Sequence, residues 1–547
     1  MLTATPHLNA FPKLDDFQRS IIRERGRCET FPDGACLFRA GDVDFDFFLV
    51  TKGRVKILES TSGVERVVAI HEEGQFTGDV DFLTRRPAVV SACADGECEA
   101  CRVPATAVRD LLNEIPALSE LLLQAFTARR ELLQANGFVG TRVVGYKECP
   151  STNRINEFLF RNRVPYTWTD AGSEEGARLL KQYAPGHKHT PIIVCANTSV
   201  VAENPSLVQL ARCMRIRPEM PKEPMDVVII GAGPAGLASS VYAASEGLRV
   251  LVLDSLGPGG QAGTTSSIEN FIGFPSGISG TELANRAHLQ LLKFGGRIAA
   301  PVQVEGLERE GNLLKLTLDG EEPLLTHTVV VASGAKYRRL PVEGAARYEG
   351  TSIFYSATSV ESRLCRESNV FVVGGGNSAG QAAMFLSQTA RSVRLVLRNN
   401  DLGAKMSNYL VERLKRTPNI TIHLNSEITA LHGKSLLERL ELTNRAEGTT
   451  QELPATAIFS FIGASPNTGF LPAEIARDEA GFLLTGEQVV QAGRWDLKRP
   501  PCFLETSMPG VFAAGDVRKG STPRVAFASG DGAMAVACIH IYRSFPV

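Results

Sequence analysis

The sequence predicts a multidomain protein, β at its start and α/β thereafter: an antiparallel β-roll, a small mixed insert, then two nested three-layer α/β folds. Three observations carry this. Short strand-like runs, punctuated by glycines at 41, 53, 63, 74, 78 and 96, have the spacing of a small antiparallel barrel. Two glycine-rich turns, Gly231-Ala232-Gly233-Pro234-Ala235-Gly236 and Gly374-Gly375-Gly376-Asn377-Ser378-Ala379, each follow an apolar strand and open a helix. The 547 residues hold three to four domains at ~150 residues each.

Composition narrows the function classes. Apolar residues make up 44% and charged residues 21%, an ordinary globular balance with a core that needs no disulfide staples. A net charge of −1, with lysine and arginine spread along the chain, argues against nucleic acid or an anionic membrane as partner. The first residues lack a signal-peptide pattern, and no apolar run approaches the ~20 residues of a membrane span. The expectation is a soluble, cytoplasmic protein whose eleven cysteines are reduced thiols.

In the first domain, residues 1–138, strand-like runs fall at 45–50, 54–60, 65–71, 89–93 and 100–103. A helical pattern follows at 116–134, with Leu118, Leu121, Leu122, Phe126 and Leu132 on one face. Phe47-Phe48-Leu49-Val50-Thr51-Lys52-Gly53-Arg54-Val55, with Gly74-Gln75-Phe76 through Arg86-Pro87-Ala88-Val89-Val90, resembles the cyclic nucleotide-binding domain family. That resemblance implies a Gly-Glu holding the ribose hydroxyl and an Arg on the cyclic phosphate. Arg86 falls at the Arg position; Asp79, after Gly78, is the nearest match to the Glu but stands closer to Arg86 than the family spacing. A cyclic nucleotide is therefore one candidate ligand, and a β-roll kept for docking is the alternative. Cys98-Glu99-Ala100-Cys101 reads as C-x-x-C, but i and i+3 on a strand face opposite ways, which argues against a redox centre.

Residues 139–215 read strand (142–146), helix, strand (164–168), polar loop, then Thr190-Pro191 and a further strand. With Cys149-Pro150-Ser151-Thr152 at the helix start, this resembles glutaredoxin-like thioredoxin folds. In that family Cys-Pro-x-Cys opens the helix, whose dipole favours the thiolate, and the proline after Thr is cis. Thr152 replaces the second cysteine, leaving Cys149 either as a lone attacking thiol or as the relic of a docking domain. His187-Lys188-His189 lacks further ligands at metal spacing and reads as a solvated loop. A linker, 216–225, follows.

From residue 226 the strand Val227–Ile230, the first glycine turn, a helix and a strand ending in Asp254 form a complete βαβ unit. Gly231 permits the tight turn, Gly233 lets backbone approach a pyrophosphate at the helix N-terminus, and Gly236 lets helix pack on strand. Asp254 is placed to accept from a ribose hydroxyl. With Gly260-Gln261, Asn270, Gly515-Asp516 and Arg524-Val525-Ala526, this half resembles the thioredoxin reductase family of two-dinucleotide flavoproteins. The resemblance implies FAD held by all of these residues in a domain of 226–346 and 465–547. It implies a pyridine nucleotide domain at 347–464, using Gly374, Gly376, Asn377, Ser378, Arg398 and Ile462. Arg398 stands where an NAD-specific acid would, and Ala379 takes the third motif position; both favour NADPH, with NADH the alternative. A homodimer is the implied assembly.

One departure decides the reading. The family carries a redox C-x-x-C just before the second glycine motif, and here Ser356 and Ser359 occupy both positions. A serine hydroxyl cannot cycle between dithiol and disulfide. The catalytic residues are thus open. Electrons go from flavin to a small acceptor or a docked redox protein, or leave through the remote thiol Cys149. In a third reading the chain is a redox or cyclic-nucleotide sensor.

Overall fold

The computed structural model describes residues 9–61, 64–78, 80–84, 86–135, 141–195, 201–214, 216–265, 267–355, 357, 361–362 and 365–545. They divide into two compact units. The first is Met1–Tyr146, Arg154–Met220 and Leu289–Pro301; the second is Lys147–Asn153, Pro221–His288 and Val302–Val547.

The first unit opens with the β-roll. One sheet orders Arg27–Phe31, Cys98–Val103 and Phe47–Lys52; the other orders Cys36–Phe38, Ser91–Ala94, Arg54–Thr61 and Val64–Glu72. Between them Phe47, Phe48, Phe76 and Phe126 are buried, with Phe47 and Phe76 stacked at 5.4 Å. The helix Pro116–Ala135 supplies Leu118, Leu122, Ala125 and Phe126 to this core.

Two strands of the β-roll escaped the sequence reading. Arg27–Phe31 is exposed over most of its length and so carries no apolar alternation, while Cys36–Phe38 is too short to show a period. Their pairing also corrects the expectation of reduced thiols. Cys28 stands opposite Cys101 and Cys36 opposite Cys93, and each pair is joined as a disulfide. Separations of 73 and 57 residues hide partners that antiparallel register brings face to face. Cys101 is thereby taken up, and Cys98 stays a buried thiol raised by desolvation.

The same unit holds a four-stranded module. Thr141–Gly145 runs parallel to Tyr166–Asp170, with the helix Pro150–Arg161 between them in sequence. Ile192–Val194 pairs antiparallel with Thr141–Gly145 on one side and Val201–Glu203 on the other. Ser173 caps Glu174–Tyr183, and Ser206 forms a capping box with Gln209 at the start of Leu207–Cys213. The Thr190–Pro191 bond is cis. In the polar loop, Glu203 Oε1 accepts from the backbone N–H groups of Lys188 and His189 at 2.8 and 2.5 Å. Among the described residues no cluster could hold a metal ion.

In the second unit Met225–Ile230 lies parallel between Val250–Leu253 and Leu324–Val331. Val511–Ala513 returns from far along the chain to pair with Leu324–Val331. Between these segments the chain builds a five-stranded parallel sheet ordered Ile353–Phe354, Ala457–Ser460, Asn369–Val373, Ser392–Val396 and Ile420–His423. The final helix, Val525–Ser544, packs on Pro234–Ser245, where Ser239 Oγ donates to the Gly532 carbonyl at 3.1 Å. Among the described residues it is the one helix long and apolar enough to cross a membrane.

Candidate functional site

Each glycine turn combines steric necessity with unexplained space. Gly231 has φ +106°, and a Cβ there would lie 2.4 Å from the Ala332 carbonyl oxygen. A Cβ at Gly236 would lie 1.9 Å from the Gly231 oxygen. Packing thus requires both. Gly233 is different: its backbone is extended at φ −75°, ψ −178°, and a Cβ would meet only Gly260 Cα, at 3.8 Å. The second turn repeats the pattern. Gly374 has φ +146° and would press a Cβ to 2.6 Å from Phe461 O, whereas Gly376 has nothing within 4 Å. Among the described residues, Gly233 and Gly376 therefore have no neighbour that demands a glycine. Both cap helices, of 12 and 10 residues, without a side-chain partner for the helix's first N–H groups. Open space before free N–H donors at a helix N-terminus is a cradle for a phosphate. The residues present fit a dinucleotide at each turn.

The other predicted residues are distributed as follows. Asp254 braces the first turn: Oδ2 accepts from Ala232 N at 2.8 Å, and Oδ1 accepts from Leu256 N and Gly257 N at 2.9 and 2.8 Å. Asn377 Oδ1 accepts from Ser407 N at 2.8 Å and Ser407 Oγ at 3.0 Å, fixing the second helix start. A cavity of about 460 Å³ brings together Gln261, Ser378 and Asp516. Gln261 also donates its side-chain amide to the Ala335 carbonyl. Burial, then the neighbouring Asp531, raises the Asp516 carboxyl above its ordinary value. Asp531 in turn accepts from Gly515 N and from Arg518 Nε and Nη2, at 2.8–3.0 Å. Asn270 and Arg524 are exposed, and with Val525 and Ala526 they are absent from the cavity wall. Ile462 lies against the core that contains Phe371 and Val396. Arg398 is exposed, 3.6 Å from Glu427, which also pairs with Arg445 at 2.5 Å.

The cavity wall also holds Phe461, and Arg518 and Lys519, which the sequence reading did not select. The basic pair follows Gly515-Asp516 after one residue, Val517, and could have been flagged by that proximity.

Residues 225–547 contain three cysteines, all buried. Burial and then Glu361 push the Cys365 thiol up to about 12; burial and then Glu505 push Cys502 up to about 11; burial raises Cys538. None supplies a thiolate near neutral pH. Ser356 and Ser359 lie outside the described residues. Cys149 is partly exposed immediately before the helix Pro150–Arg161, and its carbonyl accepts from Asn153 N at 3.1 Å. Asn153 Nδ2 donates to the Gly350 carbonyl at 2.9 Å.

The β-roll encloses a second cavity, of about 430 Å³, with walls that include Phe38, Phe45, Ile57, Val90, Leu132, Arg66, His71 and Arg129. Burial, then the Arg129 charge, holds the His71 imidazole well below its ordinary value. Arg86 is not in this wall; its Nη1 donates to the Asn162 carbonyl at 2.6 Å. Asp79 lies outside the described residues.

With this geometry in place, comparison with known proteins is informative. Residues 225–532 match the family model "Pyridine nucleotide-disulphide oxidoreductase", and residues 28–114 match "Cyclic nucleotide-binding domain". A thioredoxin reductase of Treponema pallidum is 33% identical over 310 residues, covering 57% of this chain and 94% of that protein. Crystal structures of thioredoxin reductases from Lactococcus lactis and T. acidophilum align with TM-scores of 0.52 and 0.53 at 28% and 27% identity. Each match covers 58% of this chain and 98% or 99% of the other.

Proposed function

Since the chain belongs to the pyridine nucleotide-disulphide oxidoreductase family and is an NAD(P)H-dependent FAD oxidoreductase, we propose that its flavin delivers electrons without a neighbouring dithiol, to a small acceptor or a docked redox protein. The observation that carries this is the thiol inventory of residues 225–547. Serines stand at 356 and 359, and the three cysteines are sealed and raised.

When bound, FAD and NADPH supply the two-electron redox chemistry, and the chain supplies binding and orientation. Gly231, Gly233 and Gly236 with the start of Pro234–Ser245 hold the FAD pyrophosphate, and Asp254 keeps that turn in shape. Gly260, Gln261, Asn270, Gly515, Asp516, Arg524, Val525 and Ala526 complete the FAD site in this reading. Gly374, Gly376, Asn377 and Ser378 hold the NADPH pyrophosphate, with Ile462 beside them. Arg398, exposed at the end of the Ser392–Val396 strand, is placed to pair with the 2′-phosphate and so to prefer NADPH over NADH. FAD occupies 226–346 with 465–547, NADPH occupies 347–464, and the chain works as a cytoplasmic homodimer.

A second reading rests on Cys149, which is partly exposed beside the helix Pro150–Arg161 in a module we assign to the thioredoxin fold. In it the electrons leave through this thiol to a disulfide. An acceptor screen on NADPH-reduced protein, covering oxygen, quinones, ferredoxin, flavodoxin and thioredoxin, separates the two. Cys149→Ser should keep the rate with the best acceptor within about twofold; a loss of about a hundredfold favours the remote thiol. The β-roll is read as a ligand module, with a cyclic nucleotide as its candidate ligand. Calorimetry with cyclic AMP and cyclic GMP tests that assignment.

A further inference from the structure

The four-stranded module contains two more cysteines. Cys195 directly follows the Ile192–Val194 strand and is 4% exposed; Cys213 ends the Leu207–Cys213 helix and is less buried. Their sulfurs are 3.4 Å apart and not disulfide-bonded. A disulfide spans about 2.0 Å, so bonding needs the sulfurs to approach by roughly 1.4 Å. Among the described residues, no other pair of free thiols is shown with one member partly exposed. Cys149 is approachable but has Thr152 where a second cysteine would stand. Cys502 and Cys538 hydrogen-bond each other but are buried beside Glu505.

We propose that Cys195 and Cys213 are a dithiol–disulfide couple that exchanges with low-molecular-weight disulfides of the glutathione type. The proposal goes beyond the flavin reading and does not rest on it. Exposure sets the order of events. Cys213, as thiolate, attacks one sulfur of the incoming disulfide; a Cys213–S–S–R bond forms, the R–S–S–R bond breaks, and one RS⁻ leaves. Cys195, as thiolate, then attacks the Cys213 sulfur and expels the second RS⁻. The two protons released by the cysteines end on the two RSH products. The two cysteines are oxidised by two electrons, and one disulfide is reduced to two thiols. Excess RSH runs the sequence backwards.

The test uses the full-length flavin-loaded protein, equilibrated without oxygen at graded ratios of reduced to oxidised glutathione, then alkylated and mapped by mass spectrometry. The expected result is a linked peptide joining Cys195 to Cys213 that rises to most of the population as the mixture becomes oxidising, and disappears when reduced glutathione is restored. Cys195→Ser should instead trap glutathione on Cys213, while Cys213→Ser should leave Cys195 unmodified. Full alkylation of both cysteines at the most oxidising ratio would overturn the proposal. So would glutathione on wild-type Cys213 with no linked peptide, or glutathione on Cys195 in Cys213→Ser. The wild-type arm needs no substitution, so it tests the proposal whether or not the variants fold.

Discussion

At the scale of single residues, the glycines separate what the fold needs from what a ligand needs. Gly231 and Gly374 have positive φ and meet backbone oxygens within 2.6 Å of a Cβ, so alanine there must displace main chain. Gly231→Ala should therefore lose stability and flavin together, by about 1–3 kcal/mol. Gly233→Ala and Gly376→Ala meet no protein atom closer than 3.8 Å. Each should fold with its melting temperature nearly unchanged. Gly233→Ala should weaken FAD retention about tenfold or more, and Gly376→Ala should raise KM for NADPH by a similar factor with FAD retained. Thermal melts beside flavin release and NADPH kinetics would check this; an equal loss of stability in all three would remove the phosphate-cradle reading. The motif was legible in the sequence, but the difference between its glycines was not, because it depends on atoms as remote in sequence as Ala332 and Phe461. For the same reason Asp254 could be placed at the strand end but not seen to brace the loop, and Arg86 could be matched by spacing but not traced to Asn162.

At the scale of elements, the β-roll strands that fill the core were readable and one with its side chains in solvent was not. The runs near 45–50 and 54–60 appear as Phe47–Lys52 and Arg54–Thr61 because their side chains alternate or fill the core. Arg27–Phe31 contributes backbone pairing with its side chains in solvent, so no hydrophobic signal marks it. The packing of Val525–Ser544 on Pro234–Ser245 was equally hidden. A Cβ at Gly532 would lie 2.3 Å from the Ala235 carbonyl and 2.9 Å from Ser239 N, both on the helix that begins at the first glycine turn. Backbone cannot yield as a flexible side chain does. Gly532→Ala should destabilise by about 1–3 kcal/mol and loosen FAD by shifting that helix, although residue 532 lies far along the chain from the turn. Guanidinium unfolding and flavin fluorescence would check it; an unchanged protein would show that the two helices can separate freely.

At the scale of the whole molecule, the chain joins a half that matches the FAD- and pyridine-nucleotide-binding family to a β-roll and a thiol-bearing module, and carries serines at 356 and 359. The family half was legible because its glycine turns and Gly515-Asp516 lie in short contiguous motifs. The thiol chemistry was not, since the Cys28–Cys101, Cys36–Cys93 and Cys195–Cys213 pairs are brought together only by folding. The central claim is that electrons from NADPH stop at the flavin until an outside acceptor takes them. An oxygen-free NADPH titration of protein first oxidised with glutathione disulfide and then desalted, followed at about 450 nm, tests it most directly. The account predicts complete bleaching at about one NADPH per FAD, because no thiol pair shares the electrons. Bleaching that needs about two NADPH per FAD would reveal a disulfide drawing electrons from the flavin and would contradict it.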